Sequence, residues 1–576
     1  MYVTRIPNRG SPPAILLRES YRENGRVKSR TIANLSHWPA KKIESFERAL
    51  KGLGPGAAVE GAFEISRSLP HGHVAAVLGT LRSLGIEELL DEAPSRYRDL
   101  VTAMITARVV GPCSKLATAR GLRTATCSTS LGEVCGVSGC DEDDLYAAMD
   151  WVIERQEAIE QRLATRHLKQ GMLVLYDVSS AAFEGCTCPL GAIGYARDGV
   201  KGRRQVVYGV LTTTEGIPVA IEAFQGNTVD PATLSAQVQK VKQRFDLSHV
   251  VLVGDRGMIT KARITEELAP AGLDWITALR APAIKALVKQ GWIQLSLFDE
   301  HDLVEIRHPE YEGDRLIICR NPVLGADRRR TREELLAATE RELEKVVAAT
   351  KRARAPLRGK DRIAMRVVRG LDRYKVGKHF QYTIDEDSFT YHRNEVAIAQ
   401  EAALDGLYVL RTSVPGGELA AEDVVSTYKR LDSVERVFRG FNSALDLRPI
   451  HHRRADRVRA HPLLCMLGYY VMWHMEDRLA PLLFKDHDRA AGEAGRSSPV
   501  APAVRSQAAT SKARTKRTEA GEPVHSLQSL LADLGTVAVN TIQPATGSSF
   551  RLITTPTAVQ SRAFELLGVS PHLGYP

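Results

Sequence analysis

The stretch GMLVLYDVSS (residues 171–180) decides the fold class, because its apolar run has the length of a strand and polar residues follow it at once. Two further β-rich runs form a predicted hairpin over residues 203–224. A helix is expected from Asp230 to about Phe245, then the strand HVVLVGD (249–255), a second helix and one more strand. This order, β-β-β-α-β-α-β, predicts an α/β fold with a mixed sheet and flanking helices.

The rest of the chain divides around this sheet. The N-terminal residues form a predicted hairpin turned at Asn24-Gly25, and amphipathic helices follow it. Short β runs around a charged helix later interrupt the pattern before long helices restore it. We predict an N-terminal β-hairpin module (1–45), an α-helical unit (46–168), the first part of the sheet core (169–280), an α+β insertion (281–415), the second part of the core (416–485), a flexible linker (486–524) and a C-terminal β/α segment (525–576).

Length and composition exclude several classes of protein. The 576 residues carry a net charge of +10, which favours a polyanionic partner without identifying one. Eight cysteines in so long a chain do not form the framework of a small secreted domain. The first residues lack a signal-peptide core, and the apolar run from Pro462 to Met475 is too short to span a membrane. We therefore expect a cytosolic protein with reduced thiols.

Two aspartates follow apolar runs of the predicted sheet. Asp177 comes after LVLY, and Asp255 comes after VVLVG. We expect both at the C-terminal ends of neighbouring strands, where ligands of open α/β sheets bind. Two carboxylates in one crevice suit a hard cation such as Mg²⁺. The alternative is that each aspartate only caps its strand end or the following turn.

A helix near residue 430 supplies the third candidate carboxylate. Tyr428, Glu435 and Asn442 are seven residues apart, so they lie along one side of a continuous helix at intervals of about 10 Å. Leu431 and Phe438 complete an apolar stripe that faces the sheet. A carboxylate buried on such a face needs a cation, which makes Glu435 a candidate metal ligand. A salt bridge to a neighbouring arginine is an equally weighted alternative.

The surroundings of Glu435 are strongly basic. Between Tyr428 and Arg459 there are nine lysines and arginines against four acidic residues. Basic side chains neutralise backbone phosphates, while acids hold Mg²⁺ for phosphodiester cleavage. The arginines of this stretch that we expect to contact a phosphodiester are Arg430, Arg436, Arg439 and Arg448.

Four motifs together resemble the DDE transposases of bacterial insertion sequences. They are YDVSS with Asp177, FQGNTVDPATL, VGDRGM with Asp255, and YKRLDSVERVFRGFNSALDLRPIHH with Glu435. The nearest subgroup has a Tyr-Arg-Glu-Lys signature on its final helix and a β-rich insertion before it. The resemblance implies a ribonuclease-H-like core with Asp177, Asp255 and Glu435 as catalytic residues and metal ligands. It also implies DNA contacts from the final helix, and the expected DNA-binding residues are then Tyr428, Arg430, Arg436, Arg439, Asn442 and Arg448.

Two positions depart from the signature of that subgroup. Its arginine position is Leu431, with Arg430 adjacent, and its lysine position is Asn442, with Arg439 on the same side. These changes affect how the helix binds the phosphates of the transposon end. The three acidic residues are unchanged.

The resemblance also implies a mechanism and partners. It implies cut-and-paste transposition by strand cleavage and 3′-OH strand transfer, with two Mg²⁺ or Mn²⁺ ions as cofactors. It further implies double-stranded DNA, at the element ends and the target, as partner, a homodimer on that DNA, and action at the bacterial nucleoid. The N-terminal module and the helical unit are expected to recognise the ends.

Two other functions remain open from the sequence. A metal-dependent nuclease would use the same acids without strand transfer, and a DNA-binding relic would keep the fold without activity. The arginines that follow Asp177 either touch DNA or lie in a solvated loop; with Lys201, these are Arg197, Arg203 and Arg204.

Overall fold

The N-terminal module is a small sheet covered by one helix in the computed structural model, which describes residues 1–23, 26–51, 63–195, 197, 202–294, 298, 302–486, 488–496, 498–501, 503–544 and 548–575. Three antiparallel strands, in the order β1-β2-β3, pack against helix α1. The predicted hairpin corresponds to β2 and β3, while its turn residues Asn24 and Gly25 lie outside the described residues. These elements are β1 (Tyr2–Asn8), β2 (Ser11–Glu23), β3 (Arg26–Asn34) and α1 (Ala40–Leu50).

A helical unit follows the strand β4. Its helices bury apolar faces such as Leu100, Val101 and Ile105, and they join the same core as the central sheet. Helices α4 and α7 pack against the later helix 455–478. The elements are β4 (Phe63–Pro70), α2 (Gly72–Ser83), α3 (Ile86–Leu90), α4 (Arg96–Val110), α5 (Lys115–Leu122), α6 (Leu131–Val134), α7 (Glu142–Glu154) and α8 (Gln156–His167).

The central sheet is mixed, as the sequence predicts. Strands β5, β9 and β10 are parallel, while β7 pairs antiparallel with β5 and forms the predicted hairpin with β8. Apolar side chains such as Val174, Leu175 and Val253 are fully buried because helices cover both faces. The elements are β5 (Leu173–Ala182), β6 (Ala192–Ile193), β7 (Arg204–Thr213), β8 (Pro218–Gln225), α9 (Asp230–Gln239), a π-helical turn (Lys240–Arg244), β9 (Val251–Gly254), α10 (Lys261–Arg263), a second π-helical turn (Ile264–Leu268) and β10 (Asp274–Ala278).

The region expected as an insertion is partly continuous with this sheet. Strands β12 and β15 are buried and extend it in the order β11-β12-β15-β10-β9-β5-β7-β6, through pairings between distant parts of the chain. The residues between β12 and β15 form a separate apolar core. The elements are α11 (Ala281–Lys289), β11 (Leu303–Ile306), a 3₁₀ turn (Pro309–Tyr311), β12 (Arg315–Arg320), α12 (Pro322–Thr350), α13 (Lys360–Tyr374), a 3₁₀ turn (Gly377–His379), β13 (Phe380–Ile384), β14 (Phe389–Arg393), α14 (Glu395–Ala402) and β15 (Leu407–Thr412).

The single helix expected around Glu435 is two helices with a break at Arg430. These are α15 (Ala421–Lys429) and α16 (Leu431–Ser443), followed by α17 (Ala455–Arg478) and a 3₁₀ turn (Ala480–Leu482). The Ser433 amide donates to the Arg430 carbonyl at 2.8 Å, and the Arg430 amide donates to Thr427 at 3.0 Å. These three-residue spacings tighten the turn and redirect the chain, so Tyr428 and Glu435 lie on different helices.

The residues after α17 pack onto the main body. In the segment expected as a flexible linker, Val500 is fully buried and the Lys512 ammonium donates to the carbonyls of Ala480 and Leu483 at 3.0 Å each. Strand β16 then pairs with β4 and joins the two ends of the chain. The elements are α18 (Arg489–Ala494), α19 (Gln507–Thr515), α20 (Leu527–Leu534), β16 (Ala538–Pro544), β17 (Phe550–Ile553) and α21 (Ala558–Leu567).

Helix length and the state of the cysteines are both defined in the structure. No single helix in the described ranges has the length and apolarity needed to cross a membrane, although the pair α4 and α5, bent by 104°, meets both conditions together. All eight cysteines carry free thiols.

Candidate active site

Two parallel strands place Asp177 and Asp255 side by side. Tyr176 on β5 pairs with Gly254 on β9, so the next residue on each strand is one of the two aspartates. Neighbouring strands lie about 4.8 Å apart, which brings the two side chains to one crevice. As predicted, Asp255 directly follows its strand, and it is exposed.

The prediction that Asp177 ends its strand is wrong. Strand β5 continues to Ala182 because β7 pairs with it antiparallel past this point, with Asp177 opposite Val210. Asp177 instead marks the limit of the parallel pairing, because β9 ends at Gly254. Of the two strands, only β9 ends beside the aspartates, so the predicted strand end is present at Asp255 and absent at Asp177.

Asp177 lies in a strongly acidic environment. Its Oδ1 accepts a hydrogen bond from the Val178 amide at 2.8 Å, and no lysine or arginine of the described chain pairs with it. Burial raises the pKa of Asp177 to about 7, and the carboxylates of Asp255, Glu435 and Asp230 add to the rise. The structure thus brings Asp255 and Glu435 within electrostatic range of Asp177.

Glu435 lies at the edge of the buried face of α16 and is itself exposed. Val434, Val437, Phe438 and Phe441 are the buried residues of this helix, which packs against β5. The expectation of a carboxylate buried on the apolar side is therefore wrong, because one helical step of about 100° separates Glu435 from Val434.

The salt-bridge alternative for Glu435 also fails. Arg436 and Arg439 each approach Asp432 at 3.7 Å. Within the part of the chain that the structure describes, the Glu435 carboxylate forms neither a hydrogen bond nor an ion pair. Its charge is left uncompensated beside the two aspartates.

Asp255 does not use its side chain to cap the following turn. The amides of Met258 and Ile259 both donate to its main-chain carbonyl at 3.0 Å. Its carboxylate has no hydrogen-bond partner among the described residues. The turn is closed by the backbone, which leaves the carboxylate available for a ligand.

Tyr428 faces the same crevice from α15. Burial raises its pKa, and the Asp255 and Asp177 carboxylates add to the effect while Arg256 opposes it. The tyrosine is half-buried, and it lies within electrostatic range of both aspartates.

A fourth carboxylate, Asp230, was missed by the sequence reasoning. It is the first residue of α9, and it forms an ion pair with Arg197. A Cβ placed on Gly257 would lie 3.4 Å from Asp255 Oδ2 and 3.8 Å from Asp230 Oδ2, so both acids face the same backbone. The motif FQGNTVDPATL contained this signal, since Asp230 starts a helix at the same edge of the sheet.

The six residues expected to contact DNA occupy different environments. Tyr428 lies near the two aspartates, while Arg430 and Arg436 line a cleft of 800 Å³ beside α15 and α16. Arg439 is exposed, and Arg448 lies in the segment that joins α16 to α17. Asn442 is half-buried, and its Oδ1 has no partner in the described residues, so it is part of the interior more than of a surface.

The acids do not form a coordination shell as they stand. Among the described residues, no three His, Cys, Asp or Glu side chains are arranged to hold one metal ion. The chemistry of the donors nevertheless fits a hard divalent cation, because the carboxylates are clustered and uncompensated.

Two sequence families match this chain. One, described as the N-terminal domain of the IS1634 family transposase, matches residues 2–59. The other, described as the transposase DDE domain, matches residues 189–471 and so includes Asp255 and Glu435, while Asp177 precedes its first residue. No curated protein matches the chain.

A solved structure with a similar arrangement is that of the piggyBac transposase synaptic complex with hairpin DNA, determined by cryo-electron microscopy. The two chains are 9% identical, with a TM-score of 0.33, over 70% of this chain and 72% of that one. A likeness of this size carries no inference about function.

Proposed function

Because the chain is a DDE transposase of an insertion sequence, we propose that it moves its element by cut-and-paste transposition. In this proposal the enzyme cleaves the DNA strands at the element ends and joins the freed 3′-hydroxyl groups to target DNA. Asp177, Asp255 and Glu435 are the catalytic carboxylates of a ribonuclease-H-like core. A dimer holds the two ends together.

One observation carries this proposal. Asp177 lies within electrostatic range of Asp255 and Glu435, and its pKa rises to about 7 because it is buried and because these carboxylates repel its charge. A structural role would have surrounded the acids with donors. Their mutual repulsion is instead relieved when cations bind.

The proposed residues divide the work at the scissile phosphate. Asp177, Asp255 and Glu435 would hold two Mg²⁺ or Mn²⁺ ions, which when bound would lower the pKa of the attacking hydroxyl and neutralise the developing charge. Arg430 and Arg436 neutralise phosphates along the neighbouring cleft. The Tyr428 hydroxyl remains protonated at neutral pH because its pKa is raised, so it would be a hydrogen-bond donor toward the DNA end.

Both reaction steps use the same site. In strand cleavage, water attacks the phosphorus and the P–O bond to the 3′ oxygen of the element breaks, which frees the 3′-hydroxyl. In strand transfer, that hydroxyl attacks a target phosphorus, and the 3′ oxygen of the target strand leaves. No covalent link to the protein forms, so the acids need only accommodate two successive nucleophiles.

The test is a cleavage and joining assay with Mg²⁺. The substrate is a labelled duplex that carries the element end with its flank, and a supercoiled plasmid serves as target. The wild-type protein should cut at the junction and join the 3′ end to the plasmid, and Glu435→Gln should do neither. Glu422→Gln, which removes an exposed carboxylate in the first turn of α15, is the matched control and should retain both activities.

The other outcomes are equally informative. Equal cleavage by the wild-type protein and Glu435→Gln would refute the site. Cleavage without joining would indicate a nuclease, and no cleavage by any variant would indicate a relic.

A further inference from the structure

The N-terminal sheet has two faces of different charge. Residues directly opposite each other on paired strands point to the same side of a sheet. The pairs Glu19–Arg30, Tyr21–Lys28 and Glu23–Arg26 therefore share the side of the sheet on which Leu17 and Ala33 contact α1. The pairs Arg18–Thr31, Ser20–Ser29 and Arg22–Val27 share the other side, here called the open face.

The open face contains no acidic residue among those that the structure describes. Tyr2 lies on it opposite Arg18, and Thr4 lies opposite Leu16. Both acids of the three strands are on the other side, where Arg30 pairs with Glu19 at 2.9 Å and Lys28 pairs with Glu23. The open face thus presents arginine, hydroxyl and aromatic groups with no internal neutralisation.

The arginines of the open face are not paired within the protein. Neither Arg18 nor Arg22 forms an ion pair with a described residue, and the Arg18 Nε is buried without a partner. Val27 beside Arg22 is 67% exposed, and Tyr2 is 40% exposed. These groups are available to a partner that offers negative charge, hydrogen-bond acceptors and small apolar groups.

The shape of this part of the sheet limits what the partner can be. Strand β1 ends its pairing opposite Arg18, so residues 19–23 and 26–30 project as two strands only. Five residues extend about 17 Å. The major groove of B-DNA is about 12 Å wide and 8.5 Å deep and admits a two-stranded β-ribbon. The ribbon is therefore long and narrow enough to enter it.

From this geometry we propose that the ribbon lies in the major groove of the duplex at the element end, with its open face toward the bases. Arg22, near the tip, contacts base edges, where arginine hydrogen-bonds guanine and Val27 meets thymine methyl groups. Arg18 and Tyr2, at the base of the ribbon, contact the sugar-phosphate backbone. The proposal rests on the proposed function, because it assigns the DNA partner of that transposase to one surface.

The test is a binding measurement without divalent ions. A fluorescently labelled duplex with the terminal sequence of the element and a scrambled duplex of equal composition are titrated with the full-length protein in EDTA. Arg22→Gln should weaken binding to the terminal duplex by about 10-fold and to the scrambled duplex by much less. Ser20→Glu, which places an acid on the open face, should weaken it further.

The matched control is Arg26→Gln, because Arg26 has the same charge on the opposite side of the same ribbon. Its binding should change by less than about two-fold. Equal losses for Arg22→Gln and Arg26→Gln would overturn the proposal, as would an equal loss of both duplexes with Arg22→Gln or a preference for single-stranded DNA.

The binding test separates this inference from the proposed function. If binding depends on Arg22 but the protein never cleaves DNA, the result supports binding by the ribbon and rejects the catalytic proposal. If the protein cleaves the ends but its binding does not depend on Arg22, the result supports the catalytic proposal and rejects binding by the ribbon.

Discussion

Two carboxylates near the same sheet, the fully buried Glu160 and the half-buried Asp177, have opposite surroundings, and the difference separates a structural role from a chemical one. Glu160 on α8 is fully buried, and Lys240 donates to its two oxygens at 3.0 Å and 2.9 Å. Arg244 and the Ile221 amide also donate to it. Asp177 has one backbone donor and three acidic neighbours. The first acid is stabilised by its fold, and the second is destabilised until a ligand arrives.

The largest expected effect is on activity at the acidic centre. Asp177→Asn should reduce the rate of end cleavage by at least about 10³-fold, or about 4 kcal/mol, because it removes one of three charges that hold the ions. Cleavage is followed on labelled end duplexes. Glu157→Gln, an exposed carboxylate beside Glu160, should cleave at the wild-type rate. A fully active Asp177→Asn variant would show that Asp177, like Glu160, has no catalytic role.

The compensated acid should respond in stability. Glu160→Gln removes the buried counter-charge of Lys240 and leaves the partly exposed Glu222 as its remaining acidic partner among the described residues, so the free energy of unfolding should fall by about 3 kcal/mol. Chemical denaturation measures this change. Glu157→Gln breaks only an ion pair whose carboxylate is 79% exposed, so it should cost less than about 1 kcal/mol. Equal losses for the two variants would show that burial of this cluster contributes little.

The strands of this region could be predicted from the sequence, while their ends could not. The apolar runs before Asp177 and Asp255 indicate buried strands, and the register of β5 and β9 places the two acids together. The continuation of β5 depends on β7, whose pairing with it is a tertiary contact. Likewise, β12 and β15 read as parts of an insertion because their sheet partners are far away in the chain.

The helix break and the ion pairs around Glu435 could not be predicted from the sequence for a similar reason. Periodicity predicts one helix, but the tight turn at Arg430 divides it, and no residue there is a helix breaker. Which acid the arginines pair with is decided by rotation about the helix axis, which the sequence leaves open. Asp230 was overlooked because a helix-starting aspartate usually has only a capping role.

Divalent ions should stabilise Glu160→Gln but not Asp177→Asn. An ion at about 100 times its dissociation constant raises the free energy of unfolding by about 2.7 kcal/mol. This increment should be present in the wild-type protein and in Glu160→Gln, whose melting temperature starts lower, and it should be largely absent in Asp177→Asn. Melting curves with and without Mn²⁺ measure it. An undiminished increment in Asp177→Asn would place the ions elsewhere.

The smallest expected effect is a pH dependence of the metal-free protein. Because the pKa of Asp177 is about 7 in the folded state and 3.8 otherwise, the folded state holds the extra proton between these values. Stability therefore falls as the pH rises from about 4 through 7. Asp177→Asn lacks this loss, so its advantage over the wild-type protein should grow by about 1–2 kcal/mol between pH 5 and pH 8 in EDTA, as measured by chemical denaturation. Glu435→Gln removes one of the repelling charges and should show part of the same gain. An advantage that stays constant with pH would mean that the acidic neighbours of Asp177 do not disturb it, and that it resembles Glu160 after all.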